Sequence, residues 1–294
     1  MFVATLLVDP QRCDLDYALV ETLRTAWNGG GTTWLSPDEA AAFEVGRVPD
    51  DLWDTWTDLQ RAGVDLVLQP TAARRKKMLL ADMDGTMIRQ ECIDELADMA
   101  GVGDHVKEIT MRAMNGELDF ERALTERVGL LAGVDAGVID RVLEERITLA
   151  PGGRVLVGTM KANGGYAALV SGGFTAFADP VAGHLGFDES QANTLLVSNG
   201  RLTGGIGHPV LDRRAKVEAL ERITARLGIA RDDVLAVGDG SNDLDMLKRA
   251  GTGVALHAKT SVQKEIPVRV NHGDLTALLY LQGYARADFV HRPL

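Results

Sequence analysis

Four short stretches of this 294-residue chain combine residue types that can do chemistry. They are Asp82-Met83-Asp84-Gly85-Thr86, Ser171-Gly172-Gly173, Lys216 and Gly238-Asp239-Gly240-Ser241-Asn242-Asp243. Carboxylates, a hydroxyl, an amine and glycines in this combination suit phosphoryl transfer. Asp82 can attack phosphorus and form an aspartyl-phosphate. A carboxylate approaching a phosphate is repelled, so a cation must bridge the two. Asp82 and Asp239 offer hard oxygen ligands of the kind Mg2+ accepts, beside backbone carbonyl, water and phosphate oxygens. Asp84, two residues on, can protonate a leaving alkoxide and then deprotonate the attacking water. Ser171 and the glycine amide after it can hold phosphate oxygens, and Lys216 can neutralise their charge. Asn242 and Asp243 would orient the metal or Lys216. Each stretch alone also occurs in ordinary turns and loops, so the weight lies in their order.

That order follows the elements that must position them. Leu79-Leu80-Ala81, Ala167–Val170, Val234–Val237 and Val254–Leu256 are short apolar runs without polar alternation, the pattern of buried parallel strands. Helical stretches separate them, and Lys216 is expected to open a helix over Lys216–Leu227. The fold class is therefore α/β, a doubly wound parallel sheet, in which ligands bind outside the carboxyl ends of the strands. Three of the four chemical stretches follow such strands directly. The gap between the first two strands is too long for one crossover helix. It carries amphipathic helices with Ile93, Leu96, Ala97 and Ala100 on one face and Phe120, Ala123, Leu124, Val128 and Leu131 on another. An inserted helical cap over 89–150 is expected, with a core over 78–88 and 151–294.

The opening 1–77 stretch has its own character, because all four tryptophans lie there. It reads as a small α+β module: strands at Phe2–Val8, near Thr32–Leu35 and at Val64–Leu68, helices at Leu15–Trp27 and around Asp50–Ala62. The run Arg74-Arg75-Lys76-Lys77 is expected to be a solvated linker, since nothing aromatic interleaves it. Lys plus Arg is 31 against 42 Asp plus Glu, a net charge of −11. An acidic surface makes a poor general nucleic-acid binder. The two cysteines, Cys13 and Cys92, match no metal spacing and read as reduced thiols. None of the six histidines has metal-site spacing. The first strand stops at Asp9-Pro10, and no apolar run spans a bilayer, so a cytoplasmic protein without a membrane partner is expected.

DMDGT, SGGF, the spaced lysine and VGDGSND resemble, in order, the four motifs of haloacid dehalogenase-type phosphohydrolases. Within them, MIRQECIDELADMAG and MNGELDFERALTERV are similar to the cap of phosphoserine phosphatases. The resemblance implies Asp82 as nucleophile, Asp84 as acid and base, and Mg2+ on Asp82, Asp239 and the Asp84 carbonyl. It places Ser171, Gly172 and Lys216 on the phosphate, and Glu91, Met114, Phe120, Arg127, Gly173 and Asn242 around the substrate. The implied activity is hydrolysis of O-phosphoserine, the last step of serine biosynthesis. Physical chemistry supports that substrate separately. Phosphoserine needs an anion for its ammonium and a cation for its carboxylate, and Glu91 and Arg127 are of the right types. Those phosphatases usually carry serine where this chain has Gly85.

The 1–77 module resembles the regulatory ACT-type domains attached to some bacterial phosphoserine phosphatases, and a homodimer through it is a hypothesis. Two other readings stay open. One keeps the chemistry on a different small phosphate monoester, or transfers the phosphoryl group. The other is an inactive amino-acid-sensing protein, against which the intact Asp82, Asp84, Lys216 and Asp239 speak.

Overall fold

The computed structural model describes residues 1–114 and 117–291, Met114 by its backbone only. The chain opens with β1 (Phe2–Val8), α1 (Tyr17–Ala26), β2 (Thr33–Ser36), β3 (Ala40–Val45), α2 (Leu52–Arg61) and β4 (Val64–Pro70). These four strands form one antiparallel sheet in the order β2-β3-β1-β4. Asp16 caps α1 by accepting from the Ala18 amide, and Val20, Leu23 and Leu59 bury their faces against Leu6, Phe43 and Leu66. The sequence reading lacks β3. Ala40-Ala41-Ala42 has low strand propensity and is buried throughout, so neither composition nor alternation announces it.

A second sheet follows: β5 (Met78–Ala81), then four helices, α3 (Cys92–Met99), α4 (Gly103–Met114), α5 (Phe120–Gly129) and α6 (Val138–Glu145). The chain returns through α7 (Gly153–Ala162), β6 (Tyr166–Phe174), α8 (Thr175–Leu185) and β7 (Glu189–Asn193), then a hairpin of β8 (Leu195–Ser198) and β9 (Arg201–Ile206). It ends in α9 (Arg213–Leu227), β10 (Val234–Gly238), α10 (Leu244–Arg249), β11 (Thr252–Leu256), α11 (Thr260–Gln263), β12 (Val268–Val270) and α12 (Ala277–Leu281). Six strands pair in the order β12-β11-β10-β5-β6-β7, all parallel. Successive residues face opposite sides. Leu79, Leu169, Leu235 and Val237 pack on Leu156, Val157 and Phe177. Leu80, Ala168, Val234 and Ala236 pack on Ala219, Leu220, Ile223 and Leu247. Both faces are covered, as in a doubly wound sheet, and each such large side chain contributes roughly 1.5–3 kcal/mol.

The four inserted helices sit over the carboxyl end of β5. The chain reaches and leaves them through a ribbon in which Ile88 bridges Leu149, Arg89 donates its amide to Thr148 and Ala150 donates to Met87. Ile93, Leu96, Ala97, Ala123, Leu124, Val128 and Leu131 are buried as their spacing predicts. Phe120 is instead partly exposed.

The basic run is a solvated linker only in part: Arg75 and Lys77 are exposed, but Arg74 and Lys76 are docked. Arg74 donates to the carbonyls of Leu281 and Tyr280, Arg75 stacks 3.9 Å over the Tyr284 ring, and Lys76 donates to the Asp232 carbonyl. Charge alone suggested water, but the run lies between the two sheets, where backbone carbonyls and a ring give its cations partners. Asp65 at the start of β4 adds to this junction by accepting the amides of Asn271, His272 and Gly273 at 2.9 Å each. Among the described residues no helix is long and apolar enough to cross a membrane.

Candidate active site

Asp82 is the first residue past β5 and is buried. Asp239 and Asp243 follow β10, and Lys216 stands in the first turn of α9. That helix begins one turn earlier than the sequence suggested, because Asp212 caps it by accepting from the Arg214 amide. The Lys216 ammonium is 2.7 Å from an Asp82 oxygen and 2.5 Å from an Asp243 oxygen. Asp243 takes the Gly240 amide on its other oxygen. A Cβ at Gly238 would lie 2.4 Å from the Asp243 carboxyl carbon, so only glycine leaves that side chain room. Gly85 has φ +68° and presses on Asp239, where a Cβ would come within 2.9 Å of a carboxylate oxygen. A positive φ and that contact together account for glycine at this place.

Asp84 points to the same cavity. One of its oxygens accepts the Cys92 amide at 3.4 Å, and the other is buried without a hydrogen-bond partner. Burial, with Glu91 nearby, pushes its pKa up to about 7. Burial also raises Asp82 well above the carboxylate range, with Asp243 adding and Lys216 opposing. Asp239 is raised by burial and then by Asp243. For Lys216 burial acts downward, but Asp82 and Asp243 outweigh it and hold the ammonium charged.

One oxygen each from Asp82, Asp239 and Asp243 lies within 4.8 Å of the others. Three carboxylates against one ammonium leave two negative charges, and every donor is a hard oxygen. The donor set therefore fits a divalent cation. A pH-dependent consequence follows. Without metal the folded protein keeps a proton on Asp84 up to about pH 7, whereas the unfolded chain releases it near 4. The folded state then binds more protons, so stability falls as pH rises between those values, by roughly 4 kcal/mol at most from this group. Burial raises Asp82 and Asp239 in the same direction, and a divalent cation between those two carboxylates replaces their protons. The rise in Tm on adding Mg2+ is expected to be larger at pH 8 than at pH 5.5; an equal or smaller rise at pH 8 would contradict this assignment.

The cavity holding these groups measures about 650 Å³ and extends under the helices. Glu91 precedes α3 and Arg127 lies in the last turn of α5; both line it. Burial raises Glu91, with Asp239 adding, and lowers Arg127, whose Nε donates to the Ala123 carbonyl at 3.2 Å. Phe120 covers Gly172, where a Cβ would be 3.2 Å from the ring, so its partial exposure reflects a place in the cavity wall. Ser171 accepts the Gly173 amide at 2.9 Å, and the Gly172 carbonyl accepts from Asn193. Asn242 lines the same wall. The structure thus brings together Asp82, Asp84, Glu91, Phe120, Arg127, Ser171, Gly172, Gly173, Asp239 and Asn242 around one space, with Lys216 and Asp243 buried beside it. The Met114 side chain lies outside the described residues.

Two charged lining residues escaped the sequence reading. Asp94 carries a buried oxygen without a partner beside Arg127; its signal was the i,i+3 spacing from Glu91 on one helix face. Lys259 follows β11, and the rule that ligands gather at strand carboxyl ends applies to it too.

The family model of the haloacid dehalogenase-like hydrolases matches residues 79–248. The chain belongs to this family. Among its relatives is the phosphoserine phosphatase of Streptomyces coelicolor, 43% identical over 256 residues, which are 86% of this chain and 62% of that protein. The hydrolase chain therefore spans about three fifths of that curated relative. A solved structure of a HAD-family hydrolase from Salmonella enterica subsp. enterica serovar Typhi has a TM-score of 0.84 at 29% identity, covering 96% of this chain and 98% of its own. A phospho-aspartyl intermediate analogue of phosphoserine phosphatase has a TM-score of 0.65 at 39% identity, covering 70% of this hydrolase and 98% of that chain.

Proposed function

We propose that this hydrolase cleaves O-phospho-L-serine to L-serine and phosphate through an aspartyl-phosphate on Asp82, with Mg2+ as its working ion. One observation carries the reading. A single cavity is lined by Asp82 and Ser171, with Lys216 buried against Asp82, and also by Glu91 and Arg127. Groups for a phosphate and groups for the two charges of an amino acid share one space. Similarity to the Streptomyces phosphatase and to the phospho-aspartyl analogue supports it.

In this reading Arg127 pairs with the substrate carboxylate and Glu91 with its ammonium, which fixes the phosphate over Asp82. The Asp82 oxygen attacks phosphorus, the serine oxygen departs, and Asp84 gives it a proton. A pKa near 7 leaves Asp84 able to hold that proton and later to take one from water. The water oxygen then attacks phosphorus and frees Asp82. Lys216 stays charged throughout, pinned by Asp82 and Asp243. Mg2+ held by Asp82, Asp239 and the Asp84 carbonyl would offset repulsion between nucleophile and phosphate. Asn242 and Asp243 are assigned orienting roles, Ser171, Gly172 and Lys216 the phosphate, Gly173 a place in the substrate wall, and Phe120 the roof.

The organisation we assign is a core over 78–88 and 151–294, a cap over 89–150 and an ACT-like unit over 1–77. The βαββαβ order of the first sheet supports that last assignment, with a regulatory or dimerising role. A cytoplasmic place suits two unpaired thiols and a small ionic substrate.

The test is phosphate release from L-phosphoserine, D-phosphoserine, phosphothreonine and several sugar phosphates, with Mg2+ and with EDTA. Preference for L-phosphoserine, lost in EDTA, is expected; preference for a sugar phosphate overturns the substrate. Arg127→Ala sharpens the test. Losing a charged hydrogen bond to the carboxylate is expected to raise KM for phosphoserine roughly ten- to hundredfold. Turnover of p-nitrophenyl phosphate, which has no carboxylate, should stay within about twofold.

A further inference from the structure

The parallel ladder between β6 and β7 breaks at the Ser171-Gly172-Gly173 stretch. Ala168, Leu169 and Val170 pair with Glu189, Ser190 and Gln191, but the next pair is Phe174 with Asn193. Ser171, Gly172 and Gly173 thus stand opposite Ala192 alone, and β6 bulges out of the sheet there. A bulge frees backbone groups from the ladder, and inside a protein those groups need other partners. The side chain of Asn193, 2% exposed, meets that need. Its Nδ2 donates to the Gly172 carbonyl at 2.9 Å and to the Leu211 carbonyl at 3.2 Å, and its Oδ1 accepts the Leu211 amide at 2.7 Å. Toward Leu211 the side-chain amide behaves like another backbone peptide, donating and accepting at one residue. Leu211 precedes Asp212, the N-terminal capping residue of α9, which carries Lys216. The same segment is tied once more upstream, where Gly207 donates its amide to the Thr194 carbonyl at 2.8 Å. One buried side chain therefore joins the bulge to the approach of the Lys216 helix.

We propose that Asn193 is a positioning residue for phosphate: its side-chain amide sets the Gly172–Gly173 peptide and the start of α9 against each other. The proposal rests on the reading of Ser171, Gly172 and Lys216 as phosphate ligands. A trans peptide points its C=O and N–H to opposite sides. With the Gly172 carbonyl held by Asn193, the Gly173 N–H turns the other way, where the Ser171 hydroxyl oxygen accepts it at 2.9 Å. A hydroxyl that accepts there keeps its own hydrogen for another acceptor. Ser171 lines the cavity with Asp82, so that hydrogen is available to a phosphate oxygen beside the nucleophile. The other half of the link acts on charge. Lys216 is the fourth residue of α9 and reaches Asp82 at 2.7 Å, so holding the chain at Leu211 keeps the ammonium in place. Asparagine is the type this place needs. Aspartate would turn an oxygen on two carbonyls, and an apolar residue would leave three backbone groups unpaired.

The experiment is thermal melting of the full chain with Mg2+, in the presence and absence of about 20 mM inorganic phosphate. Phosphate is expected to raise the wild-type Tm by about 2 °C or more. Asn193→Ala should lose at least about half of that rise while keeping the rise caused by Mg2+, because the carboxylates for the metal stand after β5 and β10. On turnover, kcat/KM should fall about tenfold or more, by the same factor for L-phosphoserine and p-nitrophenyl phosphate, since both carry the phosphate. Asn193→Ser, which leaves a smaller void, carries the same expectations if Asn193→Ala does not fold. A lower basal Tm with both rises intact is the mark of a merely structural residue and overturns the proposal. So does a fall in kcat/KM confined to phosphoserine. No phosphate rise in the wild type overturns the phosphate ligands themselves and the proposal with them. A preference for another ester leaves the phosphate rise and its loss in the variant untouched, so a wrong substrate and a wrong role for Asn193 give different results.

Discussion

Asp82→Asn is expected to lower phosphate release from L-phosphoserine by about 10⁴-fold or more, since loss of a covalent nucleophile removes a pathway and not a contact. The fold should survive. Asn has the shape of Asp, and Lys216 keeps its 2.5 Å bond to Asp243. Removing a buried carboxylate that Asp243 repels also offsets part of the lost ion pair. Tm should therefore move by only a few degrees. A companion variant separates the two aspartates. Asp84→Asn should also lose phosphoserine turnover, because the serine alkoxide needs its proton. With p-nitrophenyl phosphate, whose leaving group needs no acid, it should still give a burst of p-nitrophenol and trap the enzyme as the phosphorylated form. More than about a hundredth of wild-type activity in Asp82→Asn, or no burst in Asp84→Asn, would sink the assignment of roles.

The catalytic stretches were legible because each follows a strand whose apolar run is unbroken. Leu79-Leu80-Ala81 and Val234–Val237 are buried on both faces, so composition alone marks them, and the polar residues that follow must lie at the carboxyl edge. Strands without that signature were missed. β7 reads Glu-Ser-Gln-Ala-Asn because it is an edge strand with solvent beside it. β12 has three residues, too few for a pattern. The β8–β9 hairpin was missed although it carried a signal: Asn199 and Gly200 both have positive φ, as an Asn-Gly turn of that kind demands. The docking of Arg74 and Lys76 was not legible, because a basic run looks the same whether water or backbone carbonyls receive it.

Lys216→Met should be the most destabilising change in the site as well as an inactivating one. Lys216 is 2% exposed and holds two buried carboxylates at 2.7 and 2.5 Å. Methionine fills a similar volume but leaves Asp82 and Asp243 uncompensated. Breaking a buried pair in this way costs about 3–5 kcal/mol, a fall in Tm of roughly 10 °C for a chain of this size. The loss should be greater at pH 8 than at pH 5.5. Burial already raises Asp82, and without the opposing ammonium it holds its proton to still higher pH in the folded state, so the folded protein binds more protons than the unfolded chain and weakens as pH rises. Adding Asp243→Asn to Lys216→Met removes one of the stranded charges. The double variant should recover about 1–3 kcal/mol of the loss yet stay inactive, because nothing replaces the cation beside the nucleophile. If the single variant melts within about 1 °C of the wild type, or the double variant is less stable than the single, then Lys216 is not the bridge between those carboxylates. The activity assay would then have to place its charge on the phosphate alone.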